Sequence, residues 1–237
     1  MSKGTLYLIP VPLSEGAEEA SYTVFHKQVI DHIEEYIVEN EKTARRFLKA
    51  AGFSKPQNTL VIHDFGKHVR NEVNYNELFR SIMAGRDMGL MSDAGCPGVA
   101  DPGAEVVAEA HKRGVRVVPL VGPSSILLAL MASGFTGQKF AFHGYLPIDK
   151  VERGRKIKDL ENQSAREKQT QLFIETPFRN NTLFEELLKH LKKGTKLCIA
   201  CNLTAPDEVV QTRSVAEWSN HKLDLHKKPT IFLIYVH

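Results

Sequence analysis

"SDAGCPGVADPG", residues 92–103, packs three glycines, two prolines and two aspartates into twelve positions. An apolar run, "MGLM", leads in and "AEVVAEAHKRG", with helical character, leads out. A simple strand-to-helix turn needs two or three such residues. This one reads as a loop shaped to present backbone to a ligand. Glycine permits positive φ and close approach of the chain, proline stiffens it, and the carboxyl end of a strand in an open α/β sheet faces the ligand crevice.

Working outward from that loop, the first half alternates strand-like and helix-like runs. "GTLYLIPV", "YIVE", "TLVIHD", "MGLM" and "VRVVPLV" are short apolar strands. "TVFHKQVIDHIEEY" follows the first, with Val24, Phe25, Val29, Ile33 and Ile37 near helical spacing. "EKTARRFLKAAG" (ended by Gly52), "NYNELFRSIMAG" and "AEVVAEAHKRG" are the other helices. Such alternation predicts a parallel sheet covered on both faces. In the second half, "PSSILLALMASG" predicts a helix opening on Pro123 and Ser124 and closing at Gly134. "KFAFHGYL", "TQLFIET", "TKLCIACNLT", "DEVVQTRS" and "PTIFLIYVH" read as strands. "DKVERGRKIKDLENQSAREKQ" and "RNNTLFEELLKHLKKG" read as helices, the first a solvated one. The later strands crowd together, which predicts a mixed sheet. The expected architecture is α/β in two domains, 1–121 with a mostly parallel sheet and 122–237 with a mixed one. Two such domains joined without a linker commonly share a ligand cleft.

Composition narrows the function classes. The chain has 237 residues, 42% hydrophobic and 25% charged, with a net charge of +3. No apolar stretch approaches the ~18 residues of a membrane span. Three cysteines point to a reducing, cytoplasmic setting rather than a disulfide scaffold. "CIAC", Cys198 to Cys201, has redox-motif spacing, but it lies in an apolar strand where positions i and i+3 point to opposite faces. It therefore reads as two buried cysteines. "HDFGKH" holds the closest histidine pair, His63 and His68, with no further ligands in reach of the pattern, so no metal is expected. No GxxxxGK[ST] phosphate cradle is present, and "IPVPLSEG" after the first strand cannot serve as a GxGxxG dinucleotide turn.

In chain order, "GTLYLIPVP", "SDAGCPGVADPG", "VVPLVGPSSILLALMASG", "FHGYLP", "ETPFR" and "NLTAPDE" resemble the tetrapyrrole-methylase-like family of S-adenosylmethionine-dependent methyltransferases. Within it they most resemble the ribosomal small-subunit RNA 2'-O-methyltransferase I group. The resemblance covers nearly the whole chain. It implies a homodimer with S-adenosylmethionine in the interdomain cleft. It also implies cofactor contacts from Pro10, Ala94, Gly95, Cys96, Val99, Ser124, Ser125, Thr176, Leu203, Pro229 and Thr230. A helix opening on two serines agrees with that, since its N–H groups and a hydroxyl suit a carboxylate. A plain helix cap is the other reading of the same serines.

For the methyl acceptor, the resemblance implies ribosomal RNA or a small ribosomal subunit. "VENEKTARRFL" keeps Glu39, Arg45 and Arg46 of the group's pattern and departs at Asn40, Glu41 and Lys42. "ETPFR" keeps Glu175 and Arg179. "NLTAPDE" has Asn202 where the group has Glu and Ala205 where it has Lys, and "VPLSEGAEEASY" lacks the group's Asn-Leu-x-Asp run. The expected catalytic residues are Glu39, Glu175 and Arg179, with Arg45 and Arg46 on substrate phosphates. A solvated helix face or an ion pair with Glu39 or Glu175 is the structural alternative for the arginines. Two other functions stay open: methylation of a tetrapyrrole, and an inactive relative that binds S-adenosylmethionine or RNA without transfer.

Overall fold

The computed structural model describes residues 2–66 and 72–237. The chain divides into two compact units, Met1–Ser124 and Ser125–His237.

The first unit holds β1 (Thr5–Leu8), β2 (Glu35–Val38), β3 (Val61–Asp64), β4 (Met88–Met91) and β5 (Arg116–Pro119). They form one sheet in the order β3-β2-β4-β1-β5, and every pairing is parallel. Every residue of β2 and of β4 is buried, which is why the sequence shows apolar runs there instead of alternation. On one face, α2 (Val24–His32) and α3 (Glu41–Ala50) bury Val29, Ile30, Phe47 and Leu48 against Tyr36 and Ile9. On the other, α4 (Tyr75–Leu78), α5 (Arg80–Met83) and α6 (Ala104–Lys112) bury Leu78, Ile82 and Val106 against Ile37 and Leu90. Each such side chain contributes ~1.5–3 kcal/mol of transfer free energy. A four-residue helix, α1 (Glu18–Ser21), lies between β1 and α2.

The second unit holds α7 (Ser125–Ser133), β6 (Phe140–Tyr145), α8 (Lys150–Glu167), β7 (Thr170–Ile174), α9 (Asn180–His190), β8 (Lys196–Cys201), β9 (Val209–Ser214), α10 (Val215–Trp218) and β10 (Thr230–Tyr235). Its sheet runs β6-β7-β10-β8-β9. Only β6 and β7 pair in parallel, and the other three pairings are antiparallel. Ile157, Leu160, Leu183, Leu187 and Trp218 pack against one face of the sheet. α8 is charged on its outer side but is no simple solvated rod: its inner stripe runs through Arg153, Ile157, Leu160 and Ser164. Cys198 and Cys201 are buried strand residues. Burial pushes the Cys198 thiol up to about 11, so it is unreactive at neutral pH.

The structure corrects three sequence expectations. Val24 and Phe25 are exposed, and the inner face of α2 is His26, Val29 and Ile30. The helix ends at His32, so Ile33 caps it and Ile37 belongs to β2. The apolar spacing therefore crossed an element boundary. The run "NYNELFRSIMAG" is two helical turns interrupted at Phe79, whose ring is buried in the core. The helix α7 begins at Ser125, beyond Pro123 and Ser124.

Candidate functional site

Two crevices of the first unit open at the carboxyl edge of its sheet. The helices following β1 and β4 lie on opposite faces, as the core clusters show. So do those following β2 and β4. Adjacent strands whose continuations part to opposite faces leave a crevice outside their carboxyl ends. The loop after β4, which is the glycine-rich stretch, stands between two such crevices.

On the β1 side the crevice is built from backbone. Val11 and Gly95 exchange hydrogen bonds of 2.9 and 3.0 Å. Gly95 adopts φ +71°, Gly98 +77° and Gly103 +128°. A Cβ on Gly95 would stand 3.2 Å from Leu13 Cδ2. Gly122 lies so close to Pro10 that a Cβ there would be 2.3 Å from the proline Cβ. The Cys96 thiol donates to the Pro123 carbonyl across 3.3 Å, and burial raises its pKa. Cys96 therefore ties this loop to the stretch before Ser124. Ala94 and Val99 are exposed beside it, and Ser124 and Ser125 are half-buried at the start of α7.

On the β2 side the crevice is acidic. Glu39 follows β2, and its carboxylate accepts the Asp93 N–H at 3.4 Å. Asp93 is hydrogen-bonded by Thr43 and faces the positive charge of Arg46, yet burial still raises its pKa. Asp101 is pushed up to about 6, first by burial and then by the charges of Glu39 and Asp93, against a hydrogen bond from Ser92. Ala100, just before it, sits at φ +62°, a costly conformation for a residue other than glycine. Asp93 and Asp101 were both visible in the quoted loop but attracted no role there. Their signal was the clustering with Glu39, which needs the β2–β4 pairing to become apparent.

The two arginines of α3 separate. Arg45 is engaged by Glu41 at 2.7 Å and by the Gln57 carbonyl at 2.5 Å. Arg46 is exposed beside Asp93. Asn40, one of the departures from the group's pattern, caps α3 by accepting the Thr43 N–H at 3.1 Å.

In the second unit, the loops 175–180, 202–208 and 224–230 form one cluster. Asn202 N–H donates to the Pro229 carbonyl (2.9 Å) and Lys227 N–H to the Pro177 carbonyl (3.0 Å). Asn180 donates to the Lys228 carbonyl at 2.6 Å. Thr176, Leu203, Pro229 and Thr230 are thereby gathered in one place. Glu175 is buried. One of its oxygens accepts both the Thr176 N–H (2.6 Å) and Arg179 (2.7 Å), which makes it a brace for this loop. Asn202, at φ +50°, binds Asp207 at 2.8 Å. Asparagine tolerates that left-handed backbone well.

A polar pocket at the opposite, amino edge of the first sheet includes Glu35, His63 and Asp87. His63 pairs with Glu35 at 2.8 Å, while His68 lies outside the described residues. Among the described residues no group of three or more His, Cys, Asp or Glu is placed to hold a metal. No described helix is long and apolar enough to cross a membrane. Ligand sites in such sheets form at the carboxyl edge, so we take the glycine-loop edge as the site.

A parallel sheet with a backbone-lined carboxyl edge, joined to a mixed-sheet unit, defines a class. The tetrapyrrole (corrin/porphyrin) methylase family matches residues 20–218, and the chain belongs to it. The structure is similar to the crystal structure of the methyltransferase CobJ, with a TM-score of 0.62 over 98% of this chain and 94% of that one; at 18% identity this likeness is one of fold. Within the family, the chain groups with the ribosomal RNA small subunit methyltransferase I proteins. It is 30% identical to that of Mesorhizobium japonicum over 216 residues, covering 91% of this chain and 69% of the relative. For the Vibrio cholerae protein the identity is 29% over 212 residues, covering 90% and 69%. For the Escherichia coli O157:H7 protein it is 26% over 239 residues, covering 100% and 79%.

Proposed function

We propose that this protein transfers a methyl group from S-adenosylmethionine to a ribose 2'-hydroxyl of small-subunit ribosomal RNA. Family membership implies use of that donor, and the shared name of the relatives points to the acceptor. The observation that carries the donor side is the backbone wall at Gly95, where side-chain-free chain stands at the carboxyl edge beside Pro10 and Gly122. With Gly95 itself paired to Val11, the more open positions beside it, Ala94, Cys96 and Val99, are left to meet such a molecule. We propose that Pro10, Ala94, Gly95, Cys96, Val99, Ser124 and Ser125 hold it, together with Thr176, Leu203, Pro229 and Thr230. When bound, it supplies an electrophilic methyl group on a sulfonium.

The chain's own residues would align and deprotonate the acceptor. A ribose hydroxyl is a weak nucleophile, and a base held near neutral pKa assists it. Asp101 fits that role: its carboxylate would accept the proton of the hydroxyl. Burial, and then the charges of Glu39 and Asp93, keep its pKa high, and Arg46 offers a phosphate contact beside them. Arg45 holds the helix that carries Arg46. Arg179 and Glu175 position the loop that bears Thr176. A homodimer is the proposed assembly, and light scattering should then give about twice the 26.6 kDa chain mass.

The test is incubation with labelled donor and small ribosomal subunits lacking the modification. Label should enter ribose in the RNA. Label entering a porphyrinoid precursor and not RNA would replace this reading by tetrapyrrole methylation. Donor binding without any transfer would indicate an inactive relative.

A further inference from the structure

One aromatic side chain of the second unit stands out from the core logic of the fold. Phe178 is 67% exposed, on the loop between β7 and α9 that also carries Thr176 and Arg179. Burial would have been favourable for it, and the neighbouring cluster of loops holds it out instead. The loop is fixed on both sides. Glu175 clamps Thr176 and Arg179, and the Pro177 carbonyl accepts the Lys227 N–H at 3.0 Å. The ring is therefore presented on a rigid mount.

Its surroundings are cationic and polar. The Lys227 ammonium lies 6.0 Å from the ring centroid. His226 meets the ring edge-to-face, with centroids 6.1 Å apart and planes at 74°. Lys227 is exposed, sits at φ +60°, and has no carboxylate partner among the described residues. An apolar protein surface laid on Phe178 would strip water from the Lys227 ammonium without supplying a counter-charge, which is unfavourable. A nucleobase with its phosphate satisfies both demands, because the base stacks on the ring and the phosphate meets the cation.

We propose that Phe178 is a stacking platform for an unpaired base of the RNA substrate, with Lys227 contacting a phosphate of the same strand. This deepens the proposed function and rests on it for the identity of the RNA. The mount makes Phe178 a binding and specificity residue, with no part in the chemical step.

The experiment measures anisotropy of a labelled single-stranded RNA oligonucleotide, and of a duplex of equal length, on the full chain. Methylation kinetics on small subunits run alongside. Phe178→Ala should weaken single-strand binding about tenfold, within the range for loss of one base–aromatic stack. It should leave duplex binding unchanged and raise KM for subunits while kcat is kept. Phe178→Trp should restore affinity, which a merely structural role would not predict for a larger ring. Lys227→Ala should reduce the salt slope of single-strand binding by about 0.7, the loss of one phosphate contact. Equal affinity of Phe178→Ala and parent for the single strand overturns the inference, even if the parent methylates subunits. If the parent methylates no RNA but binds the single strand through Phe178, the proposed function falls and the platform stands. If the parent binds neither oligonucleotide the inference falls, and the proposed function falls with it if subunits are not methylated either.

Discussion

Asp101→Asn is the most informative single change, because it should move stability and activity in opposite directions. The Asp101 carboxyl titrates at about 6 in the folded protein against an ordinary value of 3.8. The folded state thus holds the proton more tightly than the unfolded chain. Its contribution is fully favourable below pH 3.8 and is lost as pH rises through about 6. Above that, the ionised carboxylate is a cost. A gap of about two pKa units corresponds to ~3 kcal/mol at most. Asp101 is only partly buried, so water screens part of that, and ~1–2 kcal/mol is the expected size. Asparagine keeps the shape and the Ser92 contact without the charge. Urea unfolding at pH 8 should show the variant more stable than the parent by that amount, and at pH 5 the gap should shrink to about half. Methyl transfer by the parent should fall about tenfold per pH unit below pH 6, while the variant should be slower by roughly 10²–10⁴ and lack that limb. Donor binding should persist. A stability difference that is the same at pH 5 and pH 8 would refute the electrostatic reasoning, and unchanged turnover would remove Asp101 from the chemistry.

Two further outcomes test other parts of the molecule. Gly95→Ala places a Cβ at φ +71° and 3.2 Å from Leu13; it should cost ~1–2 kcal/mol in the fold and weaken donor binding measured by calorimetry at least tenfold, and equal affinity would show that this backbone is not the cofactor wall. His26 is fully buried, with neither ring nitrogen hydrogen-bonded among the described residues, and burial lowers its pKa to about 4. Stability should therefore be insensitive to this group above pH 6.5 and decline by up to ~3 kcal/mol as pH falls from 6.5 through 4; His26→Phe should flatten that decline in acid-unfolding curves, and identical curves would count against the assignment.

Much of the architecture was legible in the residue order, because burial on both faces of a parallel sheet leaves apolar runs such as the "YIV" of "YIVE" and "MGLM". The glycine loop was legible too: positive φ at Gly95, Gly98 and Gly103 is a local backbone requirement written in residue type. What one-dimensional reading missed was long-range. Helical spacing carried the apolar pattern of α2 through its cap into β2, since periodicity does not mark where an element stops. The division of labour between Arg45 and Arg46 depends on whether Gln57 or Asp93 lies opposite each. The buried state of Glu175 and the exposure of Phe178 depend on three loops meeting. Asp101 owes its raised pKa first to burial and then to the charge of Glu39, sixty-two positions earlier in the chain and brought close by the pairing of β2 with β4. Backbone preferences act over a few residues and are readable in order. Charge coupling and desolvation act across space, so only the tertiary structure decides them.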